Sequence, residues 1–97
     1  MKSLKQVNKD IMVVTSTYVM HDNMPILYVS CDEDDENEDG YILQFHSGSG
    51  EYSMDKMLLV KLENILNKDK TLCDLVIEVG EQVERGAVNS NWIKTIQ

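Results

Sequence analysis

The sequence predicts an α+β fold: a small antiparallel sheet with two short helices on one face. Three observations predict it. Short runs rich in β-branched and aromatic residues fill the first half of the chain. Leu62, Ile65 and Leu66 then recur at i, i+3, i+4, the spacing of one helix face. Between the second and third strand runs, residues 32–39 hold seven acids in eight positions, too much like charge to pack. An antiparallel sheet covered by helices on one side is the arrangement that buries such elements.

Taken in order, residues 1–10 are polar and read as a frayed end. Ile11–Thr15 is an apolar, β-branched strand. Ser16 and Thr17 can cap a turn running through Tyr18, Val19 and Met20. Pro25 marks the entry to a second strand, Pro25–Ser30. Residues 32–39 form an acidic loop, and Tyr41–His46 is the returning strand of a hairpin. Gly48-Ser49-Gly50 breaks the chain. Lys56–Val60 reads equally as a fourth strand or a helix start, because periodicity does not decide so short a run. Lys61–Asn67 is the first helix. Leu72, Leu75 and Val76 repeat its spacing in a second, short helix after Asp69. Ile77-Glu78-Val79 leads into a turn at Gly80. Gln82–Arg85 is a last strand, and Trp92 and Ile93 anchor the tail.

Ninety-seven residues suit one domain, 1–97, whose core buries about 65% of the unfolded surface. Seventeen acids against nine bases give a net charge of −8. Such a chain repels phosphate backbones and anionic lipid, so neither nucleic acid nor membrane is expected as a partner. A basic protein is the natural complement. Met1-Lys2-Ser3-Leu4-Lys5 lacks the apolar run of a signal peptide, and no apolar stretch approaches a membrane span. Cys31 and Cys73 form no Cys-x-x-Cys pair and read as free thiols, which fits a cytoplasmic protein.

Candidate chemistry is sparse. Asp35, Asn37, Asp39 and Gly40 imitate the start of an EF-hand loop, with Tyr41 as the backbone ligand. The twelfth position is His46 instead of a bidentate Glu, and the flanks read as strands, so no specific calcium site is expected. His46, Ser47 and Ser49 suggest a nucleophilic set, yet Gly-x-Ser-x-Gly is missed by its first glycine and no orienting acid can be assigned. His21, His46, Cys31 and Cys73 lie at none of the close spacings of zinc sites. No catalytic residue, metal or cofactor is therefore expected. Arg85 is the only arginine; with Glu81 and Glu84 close in sequence, it reads as half of a structural ion pair. Trp92 reads as a cap on the core.

Several motifs together resemble one family. They are Val14-Thr15-Ser16, Tyr18-Val19, and Pro25-Ile26-Leu27-Tyr28-Val29, followed by Gln44-Phe45-His46-Ser47-Gly48. Leu62-Glu63-Asn64-Ile65-Leu66, Asp69, Leu72, Gly80, Arg85 and Trp92 complete the set. The pattern resembles a small bacterial domain family of unknown function, similar to the immunity proteins of polymorphic toxin systems, and covers roughly residues 11–93. Leu43, Lys70 and Val83 depart from it, standing where a tryptophan, a proline and a small residue are usual. The resemblance implies an α+β fold, no known catalytic residue, and inhibition of a cognate toxin by binding.

Three functional expectations follow. The first is a non-enzymatic binding protein that engages a basic partner such as a toxin through Asp32, Asp34, Asp35 and Glu36 in the acidic tip. The second is a small-molecule binder or enzyme using the Phe45–Gly50 region. The third is an acidic DNA mimic, which requires negative charge spread along one face.

Overall fold

The computed structural model describes residues 3–48 and 54–95. Six strands form one sheet: β1 Met12–Ser16, β2 Tyr28–Glu33, β3 Tyr41–His46, β4 Met57–Lys61, β5 Gln82–Glu84 and β6 Ile93–Thr95. Their order across the sheet is β4-β1-β3-β2-β5-β6. Two α-helices, α1 Thr17–Met20 and α2 Leu62–Lys68, accompany three short 3-10 helices at Leu4–Gln6, Met54–Lys56 and Lys70–Asp74. The fold is α+β, but the sheet is larger than expected and mixed. β1 runs parallel to β3, with Val14 opposite Gln44. The other four pairings are antiparallel. The parallel pair follows from the path of the chain. It leaves β1 through α1, returns as β2 one place away, and β3 then fills the gap between them.

Side chains alternate across the sheet with a period of two. Val13, Val29, Cys31, Leu43, Phe45 and Val83 point to one side, where they are fully or almost fully buried. Leu62, Ile65 and Leu66 of α2 and Val19 of α1 meet them there in one cluster. Both helices therefore cover the same face. The first N–H groups of α2 need acceptors. Leu62 N–H donates to the Ile11 carbonyl and Glu63 N–H to the Lys9 carbonyl. Ser16 Oγ accepts from Val19 N–H and caps α1.

Several sequence expectations are corrected. Residues 1–10 do not simply fray. Leu4 is fully buried in the core cluster, and its N–H donates to the Leu75 carbonyl. Residues 1 and 2 lie outside the described residues, as do Ser49 and Gly50 of the glycine-serine break. The second strand starts later than Pro25 and continues through Asp32 and Glu33, which pair with Ile42 and Tyr41. The acidic loop is accordingly shorter than 32–39. Lys56–Val60 resolves in favour of a strand, β4. The segment after Asp69 is a five-residue 3-10 helix. It buries Leu72 and Leu75 but leaves Val76 half exposed. Ile93 anchors the tail by pairing with Glu84, with its side chain in the open.

Candidate interaction site at the acidic tip

The β2–β3 hairpin carries the acidic run out to one end of the sheet. Asp34 N–H donates to the Gly40 carbonyl, closing the loop at its base. Inside it, Asp34 Oδ1 accepts from Glu36 N–H at 3.0 Å and Asn37 Oδ1 from Asp39 N–H at 3.1 Å. These are two successive Asx turns, in which a short polar side chain stands in for a backbone acceptor. Gly40 completes the reversal at φ +79°, the left-handed region that glycine adopts without penalty. The four proposed binding residues divide here. Asp34, Asp35 and Glu36 belong to the tip. Asp32 does not: it lies within β2, on the face away from the helices. Its Oδ2 accepts from Ser30 Oγ at 3.0 Å and Gln44 Nε2 at 2.8 Å. Gln44 Oε1 in turn lies 3.1 Å from His46 Nε2. Asp32 therefore organises a polar row on the sheet.

The tip forms one wall of an open concavity of ≈590 Å³. Asp34, Glu36, Asn37, Glu38 and Asp39 line it on one side, and Asn8, Asp10, Ile11 and Met12 on the other. Five carboxylates thus face one space. Lys61 Nζ approaches Asp10 at 3.8 Å, and both side chains are largely exposed. Sequence reasoning missed Asp10 and Met12 as part of this site. They join it through the parallel pairing of β1 with β3, which sets the start of both strands at the same end of the sheet and leaves no local trace in the sequence. Burial first, and then Asp32, Glu78 and Glu81, push the Cys31 thiol up to about 11. Burial, then Asp39, pushes the Tyr41 phenol above its ordinary value. Clustered anions disfavour any new negative charge beside them.

No family model, curated protein or solved structure matches this chain. Its function is therefore read from its own geometry.

The other candidate residues fall elsewhere. Phe45 is fully buried in the core, His46 is fully buried and Ser47 nearly so. Ser49 lies outside the described residues. The His46 imidazole is thus shielded from solvent. Its ring centroid lies 6.4 Å from that of Tyr28. Cys31 is buried and Cys73 half-buried, both as free thiols. Among the described residues, no three His, Cys, Asp or Glu side chains group to hold a metal ion. No helix among them is long and apolar enough to cross a membrane.

Asp69, Arg85 and Trp92, quoted above for the family resemblance, meet at one node. Arg85 is 5% exposed. It forms the expected structural ion pair, and the partner is Asp69, at 2.6 Å, not its sequence neighbours Glu81 or Glu84. Nε and Nη2 donate to the Ile26 carbonyl at 3.1 and 2.9 Å. Nη1 donates to Thr71 Oγ1 and to the Val88 carbonyl. The guanidinium carbon stands 4.2 Å from the Trp92 ring centroid, within cation–π range. Glu81 instead pairs with Lys94 at 2.7 Å, tying β6 to the turn before β5. This hydrogen bond, with a second from Glu78 N–H, holds the Glu81 carboxyl below its ordinary value. The node fixes four segments to one another with every donor used, which is a structural role.

Proposed function

We propose that this chain is a non-enzymatic cytoplasmic binding protein that neutralises a basic toxin by occupying its active surface, as an immunity protein does. One observation carries the reading: five carboxylates converge on an open concavity at one end of the sheet. A nuclease toxin must present positive charge to hold phosphate, so its active surface suits this concavity. The acids mass at one end instead of running along a face, which favours a protein partner over mimicry of a DNA backbone. Two free thiols fit a reducing compartment. Neither the concavity at the tip nor a smaller one beside Pro25 and Lys68 is lined by Phe45, His46 or Ser47. The Phe45–Gly50 reading therefore gains no support from them.

The experiment is co-expression with the product of the neighbouring gene, followed by stopped-flow association. The chain should protect cells from that product and bind it quickly at low salt. Asp34→Asn/Asp35→Asn/Glu36→Gln should slow association, and the slowing should fade near 1 M salt, where the Debye length is about 3 Å. An unchanged rate at low salt would move the binding face away from the tip.

A further inference from the structure

Because both helices cover one face of the sheet, register leaves an apolar group on the other. Met12 and Val14 of β1, Leu59 of β4 and Ile42 of β3 all point away from Val13, Leu43 and Phe45. Val14 pairs with Leu59 across one ladder and with Gln44 across the other. The four therefore adjoin on three neighbouring strands. Leu59 is 64% exposed and Met12 46%; Val14 and Ile42 are half-buried. Single exposed apolar residues are ordinary, whereas a contiguous group rimmed by charge marks an interaction surface. Here the rim is mainly acidic, with the base Lys61 across from Met12: Met12 and Ile11 also line the concavity that holds Asp10, Asp34, Glu36, Glu38 and Asp39.

We propose that this apolar group, on the β4–β1–β3 part of the face away from the helices, is the docking surface of a basic protein partner. Large apolar side chains of the partner seat on Met12, Val14, Ile42 and Leu59 while its lysines and arginines enter the acidic concavity. The inference rests on the reading of the tip given above and adds the face, the anchors and the division of labour. Charge selects the occupant. A second copy of this chain would bring its own net charge of −8 against the same surface, and anionic lipid is repelled likewise. An apolar centre with a charged rim is the anatomy of a protein–protein interface. In that arrangement the carboxylates set the encounter rate, and the seated apolar side chains set how long the complex lasts.

The test uses two short synthetic peptides of equal positive charge. One has lysines flanking a pair of leucines; in its twin, serines replace the leucines. Binding is followed by NMR of isotope-labelled methionine methyl groups. The leucine peptide should move the Met12 signal and leave that of Met24, an exposed methionine elsewhere, in place. Its affinity should exceed that of the serine twin about tenfold and fall about tenfold in Leu59→Ser and in Met12→Ser. Both positions are exposed, so the thermal midpoint should hold. Unchanged affinity in both variants, or a shift at Met24 alone, would overturn the docking face. If the two peptides bind alike, and both are lost when Asp34, Asp35 and Glu36 are neutralised, the tip stands and the apolar face fails. If neither peptide binds, both readings fail. If the chain dimerises on its own and Leu59→Ser makes it monomeric, the occupant is a second copy and the proposal is overturned.

Discussion

Arg85 shows how much one side chain can hold in so small a domain. It is nearly buried, yet all its donors find acceptors, on Asp69, Thr71, Ile26 and Val88. Removing one partner of a buried pair strands the other charge, at a cost of about 3–5 kcal/mol. Arg85 would retain three other acceptors, so Asp69→Ala should cost less, about 2–3 kcal/mol, read as a lower urea midpoint. A loss under about 1 kcal/mol would mean that water screens the pair. Cys31 gives a second residue-scale prediction, with a definite sign. Its folded pKa is raised to about 11 from 9.0. The folded state therefore keeps a proton that the unfolded chain releases, and stability falls as pH rises from about 9 to 11. In a Cys73→Ser background, the ultraviolet thiolate absorbance should rise near pH 11. Cys31→Ala should flatten the decline of the urea midpoint across that window.

At the scale of elements, the β1–β3 pair is the least ordinary junction in the sheet. Its one paired position, Val14 with Gln44, is supported by a side chain: Thr15 Oγ1 donates to the Phe45 carbonyl at 2.9 Å, fully buried. Thr15→Val keeps the shape and removes the donor, so it should cost about 1–2 kcal/mol. Phe45→Ala, which empties the centre of the same junction, should cost about 3–5 kcal/mol. Chemical denaturation compares the two directly. Much of this was legible in the chain. Tyr41–His46 announced β3 through its aromatic and aliphatic residues, and the Leu62, Ile65, Leu66 spacing announced α2. β6 was not legible, because Ile93-Lys94-Thr95 is short and exposes Ile93. The parallel pairing was hidden as well: neighbouring strands of a hairpin declare their direction, but a strand inserted later beside β1 leaves no local trace. The structural ion pair of Arg85 was legible, but its partner was not, since Asp69 is distant in sequence from Arg85. Of the candidate site, the tip was visible as charge; its opposite wall depended on topology.

For the whole molecule, the consequence is a division between a packed side and a charged end. Asp34→Asn/Asp35→Asn/Glu36→Gln removes three like charges from a loop that packs nothing, so the thermal midpoint should hold or rise slightly at low salt. Asp32→Ala should lower it, because Ser30 and Gln44 both donate to that carboxylate. Opposite outcomes for acids two residues apart would distinguish tip from sheet. Millimolar calcium should shift the midpoint little, since Asp34 and Asn37 already spend side-chain oxygens on the turns of the loop. A saturable shift of several degrees at micromolar calcium would contradict this account of the tip.

The interior place of β1 has a consequence for synthesis. It lies between β3 and β4, and both follow it in the chain. At roughly 5–20 residues per second, Met12–Ser16 leaves the ribosome seconds before Met57–Lys61, the later of its two partners. During that interval an apolar, β-branched segment has at least one edge unpaired, which is the condition in which nascent strands join the wrong neighbour. The hairpin of β2 and β3 can close meanwhile and offer β1 its first edge. A stall placed before residue 57 should therefore leave the chain dependent on a chaperone, and release should free it once β4 arrives.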